Sequence, residues 1–114
     1  VMFDRLVARE DFRLLADYDR AIRAVAAGVG AHRLHVEFYE RLFSPAAIRR
    51  ICDFIGVAYR EADFTTRSNE SAPAPFPDAL RRKAVAAYAD IYRAISARFA
   101  GDVPENWLRD LEAA

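Results

Sequence analysis

The stretch VEFYERLFSPAAIRRICDFIGV, residues 36–57, decides the fold expected for this chain. Apolar and polar side chains alternate in RLHVEFY, and this period of two predicts a strand over residues 33–39. Ser44 is a favoured N-cap residue and Gly56 a favoured helix stop, so residues 45–55 are predicted to form a helix. A strand followed by a capped helix is half of an α/β repeat.

Apolar residues spaced three and four apart predict two further helices. The first covers residues 11–27 and is ended by nearby glycines, and the second and longest covers residues 78–99. A last short turn or helix is expected to begin near Pro104. The polar stretch 57–77 contains three prolines and is predicted to be an irregular loop.

These elements predict an α/β fold class, with one clear strand and three main helices in a single domain or partial domain over residues 1–114. One strand cannot form a sheet. Its partners would come from another copy of the chain, from sequence upstream of residue 1, or from segments interpreted here as loops.

Composition restricts the classes of function. Lys plus Arg and Asp plus Glu each number 17, so the chain lacks the basic excess typical of nucleic-acid binding. The single cysteine, Cys52, excludes a disulfide framework and fits a cytoplasmic location, and its place on an apolar helical stripe predicts a packed core residue. It completes no metal-ligand set with the two histidines, so no metal is expected. No apolar run is long enough to predict a membrane span.

Two groups of residues near the predicted strand could carry chemistry. Tyr39, Glu40 and Arg41 would lie at its carboxyl end, where parallel sheets bind ligands. His35 could act as a general base because its free pKa is near neutrality. The alternatives are a structural carboxylate at Glu40 and an ordinary half-buried or surface histidine.

Two further groups could bind an anion. Arg67, Ser68 and Asn69 bring a guanidinium, a hydroxyl and a carboxamide together in the long loop, a plausible grip for phosphate or sulfate. The residues 81–83, Arg-Arg-Lys, fall near the start of the longest helix, where an anion would relieve their conflict with the helix dipole. The alternatives are a solvated polar loop for the first group and, for residues 81–83, a solvated basic turn paired with Asp78 or other acids. The chain contains neither of two glycine-rich phosphate-binding motifs, G-x-x-x-x-G-K-[ST] and G-x-G-x-x-G.

Taken in order, RLHVEFYERLF, SPAAIRRICDFIGV, RSNESAPAPFPDALRRKAVAAYADIY and FAGDVPENW resemble the C-terminal half of PAPS-dependent sulfotransferases. PAPS is 3′-phosphoadenosine 5′-phosphosulfate. The resemblance covers roughly residues 11–108 and implies the helix-rich C-terminal part of a P-loop-like α/β fold. It also implies transfer of a sulfuryl group from PAPS to a hydroxyl or amine of a small-molecule or carbohydrate acceptor.

In that family, the loop that grips the phosphosulfate, the residues that bind the 3′-phosphate and the usual catalytic base all lie in the N-terminal part. The resemblance therefore implies that this loop, these residues and the base would precede residue 1, and that this chain would be inactive alone. It assigns no catalytic residue within the chain. By position, Arg67, Ser68 and Asn69 would belong to the loop that folds over the nucleotide in some members.

Two alternatives stay open. In the first, the chain is a non-catalytic, self-associating helical interaction module derived from that fold, in which a homo-oligomer covers the lone strand and the apolar stripes. In the second, it is a small helical nucleic-acid binder that uses the basic residues at 49–50 and 81–83.

Overall fold

The computed structural model describes residues 2–113, which contain seven α-helices, one short 3₁₀-helix and no strand. The helices in chain order are α1 Met2–Ala8, α2 Glu10–Ala16, α3 Tyr18–Val29, the 3₁₀-helix Ala31–Arg33, α4 Tyr39–Leu42, α5 Pro45–Ile55, α6 Asp78–Arg98 and α7 Glu105–Ala113.

The expected α/β fold class is wrong for the described residues, which are all-helical with no sheet. The predicted strand over 33–39 is replaced by the 3₁₀-helix, an extended segment over residues 34–38, and the first turn of α4. Leu34 (φ −116°, ψ 124°) and Phe38 (φ −82°, ψ 134°) do have extended backbone angles. The alternation therefore produced an extended conformation, but a strand also requires a hydrogen-bonded neighbour, which no other described segment provides.

The prediction for α5 is confirmed at both ends. The Ser44 side chain accepts a hydrogen bond from the Ala47 backbone N–H at 3.2 Å. Gly56 takes the left-handed conformation (φ 76°), and its N–H donates back into the last turn. These contacts satisfy backbone groups that a helix leaves unpaired at its ends.

The predicted helix over 11–27 is two helices with a break at Asp17. The Asp17 side chain accepts a hydrogen bond from the Arg20 backbone N–H at 3.1 Å and so caps α3. The cap interrupts the helix although the apolar spacing continues across it. Of the two expected glycine stops, Gly28 lies inside α3 and Gly30 follows its last residue.

Helix α6 supplies most of the core, and it ends one residue before the predicted limit. Its buried side chains are Val85, Ala89, Ile91 and Ile95, and they are joined by Ala47, Cys52 and Val103. The prediction that Cys52 is a packed core residue is confirmed, since its free thiol is buried. The long loop is confirmed as irregular, and α7 begins next to Pro104 as expected.

The described chain is open for its size. Its accessible surface is 8829 Å², whereas a compact monomer of 12.9 kDa would expose about 6,300 Å². The radius of gyration is 16.6 Å, against about 13 Å for a compact domain of this length. Large apolar side chains before α6 are correspondingly exposed, among them Phe12, Leu15, Tyr18, Tyr39, Phe43 and Ile55. None of the helices in residues 2–113 is both long and apolar enough to cross a membrane.

Candidate functional site

The loop residues Arg67, Ser68 and Asn69 lie in an exposed bend before α6. Arg67 is 74% exposed, and its guanidinium donates to Glu70 at 3.1 Å. Asn69 adopts a left-handed backbone conformation with φ 58°, which asparagine tolerates better than most residues. The three side chains are neighbours in sequence. The Arg67 guanidinium, which an anion would need to contact, is already paired with the Glu70 carboxylate.

The first part of the same loop is organised around Asp63. Its carboxylate accepts hydrogen bonds from the backbone N–H and hydroxyl of Thr65, at 2.8 and 2.6 Å, and from the hydroxyl of Thr66 at 2.6 Å. The Thr65 and Thr66 hydroxyls hold the pKa of the Asp63 carboxyl well below its usual range. This turn lies directly before Arg67 and restricts the backbone that leads to it.

A second group of polar side chains surrounds the extended segment. Glu37 accepts two hydrogen bonds from the Arg50 guanidinium, at 2.8 and 2.9 Å, and its other close contact is His35 Nε2 at 2.9 Å. The Glu37 side chain is only 11% exposed. The hydrogen bonds from Arg50 lower the pKa of Glu37, although burial opposes this effect. Glu37 is therefore an ionised, partly buried carboxylate that joins the extended segment to α5.

The residues at the start of α4 connect to the C-terminal end of the chain. Glu40 accepts a hydrogen bond from the Trp107 indole N–H at 2.7 Å, and Arg41 pairs with Asp102 at 2.9 Å. Burial acts to raise the pKa of Glu40, but the hydrogen bonds from Trp107 and other groups keep it below the usual value. The alternative interpretation of Glu40, as a structural carboxylate, matches these contacts.

An apolar cleft of about 430 Å³ lies beside the extended segment. Its walls come from α3, residues 36–40, α6 and α7. Phe38 forms part of one wall and packs edge-on against Phe99 and Trp107, with ring centroids 5.2 and 5.4 Å apart. Such a cleft can receive an apolar group, while the carboxylates at its edge are already engaged.

The structure brings some of the predicted residues together and leaves others apart. Glu40 lines the apolar cleft, whereas His35 and Arg41 line a neighbouring pocket that shares residues 36–38 with it. No hydrogen bond or ion pair between described residues links them to Arg67, Ser68 or Asn69. Tyr39 is 74% exposed and contacts Phe43. The pair between Glu37 and Arg50 was not predicted from the sequence. Its only visible signal was the period of two, which places His35 and Glu37 on the same side of the extended segment.

Within residues 2–113, no group of three or more His, Cys, Asp or Glu side chains is arranged to hold a metal ion. Comparison with known proteins finds no matching family model, no matching curated protein and no matching solved structure. The relation to sulfotransferases therefore stays a prediction from the sequence.

Proposed function

We propose that this chain acts as the C-terminal portion of a cytoplasmic, PAPS-dependent sulfotransferase. The order and spacing of four sequence motifs support the proposal, together with one structural observation. In residues 34–38, directly before α4, the backbone is extended and half-buried. No other described residue pairs with the N–H groups of residues 35–38 or the carbonyls of residues 34–37.

This unpaired backbone carries the proposal because peptide groups require partners once a covering surface buries them. A segment with these properties fits a chain whose fold is completed by other polypeptide. The phosphosulfate loop that the family requires is absent from this sequence, so that polypeptide would also supply most of the active site.

In the complete enzyme, an acceptor hydroxyl or amine would attack the sulfur in line with the bond to the phosphate oxygen. The S–O bond to the phosphate breaks as the new bond to the acceptor forms, and the acceptor's proton passes to a base outside this chain. Catalysis would depend mainly on positioning and on stabilising the charge that develops on the leaving phosphate. The nucleotide would be contacted by Arg67, Ser68 and Asn69, once the ion pair between Arg67 and Glu70 has broken.

The test is sulfuryl transfer from PAPS by the complete native protein, measured against a panel of phenols, alcohols, amines and carbohydrates. We expect Arg67→Ala to raise the KM for PAPS about tenfold, the value of one charge-assisted contact. Arg60→Ala is the matched control, because Arg60 is an exposed arginine of the same loop. An unchanged KM in Arg67→Ala would remove the nucleotide role. Absence of both PAPS binding and transfer in the complete protein would refute the function.

The exposed apolar side chains favour a second candidate, the self-associating helical module. The accessible surface exceeds that of a compact monomer by roughly 2,500 Å², which is more than one side of a standard interface buries. Sedimentation equilibrium of the pure chain distinguishes the two. A stable dimer without PAPS affinity supports the module, whereas a monomer with cooperative unfolding contradicts it.

A further inference from the structure

A second cleft, of about 350 Å³, lies between α6 and α7, apart from the extended segment. Each helix presents one face to it, because the lining residues recur at intervals of three and four along both. The lining consists of Asp78, Arg81, Arg82 and Val85 from α6, and Asn106, Arg109, Asp110 and Ala113 from α7.

Three exposed arginines therefore line this cleft, and no hydrogen bond or ion pair with another described residue engages their side chains. Arginines elsewhere differ among themselves, since Arg60 and Arg93, for example, form no ion pair with a described residue. Several form ion pairs with carboxylates on other helices or segments, as in Arg13 with Asp90, Arg41 with Asp102, Arg50 with Glu37 and Arg98 with Asp19. The cleft's own carboxylates, Asp78 and Asp110, lie beyond ion-pairing distance of its arginines.

Like charges gathered in a concave surface raise the local potential and attract an opposite charge. With three arginines and two aspartates, the lining carries a net charge of +1. The planar guanidinium fork matches the oxygens of a phosphate or sulfate group and can donate two hydrogen bonds to it. Asn106 lines the opposite wall, and its carboxamide already donates a hydrogen bond to Glu40.

We propose that this cleft binds a phosphate or sulfate monoester group through Arg81, Arg82 and Arg109. The two aspartates face the same space and reduce the attraction, so the affinity is modest and falls with added salt. Their carboxylates can accept hydrogen bonds from hydroxyls of the molecule that carries the anionic group. The inference does not depend on the sulfotransferase assignment.

The experiment titrates the ¹⁵N-labelled native protein with inorganic phosphate, inorganic sulfate or acetate at low ionic strength. The backbone amides of α7 and the arginine Nε–H signals report binding. We expect saturable shifts with phosphate, sulfate or both. Binding of only one shows which of the two anions the cleft selects, and either result supports the site.

Arg81→Gln and Arg109→Gln should each weaken binding about tenfold, the expected loss of one charge-assisted pair. Arg93→Gln is the matched control, because Arg93 is an exposed arginine of α6 outside the lining. Amide signals of α3 show whether each variant keeps the native fold. The proposal is overturned if no shift saturates, if acetate binds as tightly as the dianions, or if Arg93→Gln weakens binding as much as the cleft variants.

Discussion

Replacing Ile95 with alanine tests whether α6 organises this fold. Ile95 is 2% exposed and is the largest fully buried side chain among the described residues. The substitution removes three carbons, worth about 0.8 kcal/mol each in transfer free energy, and leaves a cavity that adds to the loss. Because Ile95 also borders the apolar cleft, its surroundings can partly relax or admit water. We expect the free energy of unfolding to fall by about 3 kcal/mol.

The assay is urea unfolding of the pure chain, followed by Trp107 fluorescence and by circular dichroism. A loss of this size corresponds to a Tm lower by about 10–20 °C for a domain of about 100 residues. Leu15→Ala is the control, since Leu15 is 77% exposed and its truncation should cost less than about 0.5 kcal/mol.

A loss of less than about 1 kcal/mol in Ile95→Ala would show that α6 does not organise the core, because truncating a buried isoleucine ordinarily costs more. A large fall in the free energy of unfolding of Leu15→Ala would contradict the exposure of Leu15 in the structure. It would show that another surface covers this side chain in solution.

Two further predictions concern the extended segment and the helix that follows it. The folded-state pKa of Glu37 is lowered, so its contribution to stability is present above the unfolded pKa and is lost as the pH falls through the folded one. As the pH drops below about 4.5, the free energy of unfolding should therefore fall less in Glu37→Gln than in the unmodified protein. Urea unfolding at several pH values measures this, and an equal fall in both proteins would contradict the prediction. Ser44→Ala should lower the free energy of unfolding by about 1 kcal/mol through loss of the N-cap, and Ser44→Gly by only a few tenths. Equal unfolding midpoints for Ser44→Ala and the unmodified protein would show that the cap does not contribute.

The sequence predicted α5 correctly because its start and stop are local. The Ser44 hydroxyl bonds three residues along the chain, and Gly56 needs only its own backbone freedom. The same locality made α6 predictable, since one apolar stripe runs along its whole length. Helix α1 was not predicted, because its seven residues form a short helix that contacts α6, far along the chain.

The errors arose where a local pattern required a distant partner. Alternation in residues 33–39 is compatible with a strand, but the neighbour that would make it one cannot be read from those residues. At Asp17 the error was different. Its side chain accepts a hydrogen bond from the Arg20 backbone N–H and so starts a new helix, although the apolar spacing continues through the break.

The candidate site shows the same division. Arg67, Ser68 and Asn69 were found because they adjoin in sequence, but their engagement with Glu70 depends on the loop's conformation. The contact between Glu37 and Arg50 joins residues 13 positions apart, and that between Glu40 and Trp107 joins residues 67 apart. Neither spacing has a sequence signature, so these contacts became visible only in the structure.

Both candidate functions have to provide partners for the unpaired peptide groups of residues 34–38. Each buried peptide group without a partner costs about 1–3 kcal/mol, which a small helical core cannot absorb several times over. Water can satisfy such groups while the segment is half-buried, but not once the neighbouring apolar faces are covered. Covering those faces therefore requires a polypeptide that also offers hydrogen bonds to residues 34–38. The sulfotransferase portion and the self-associating module differ in whether that polypeptide is a different sequence or a second copy of this one.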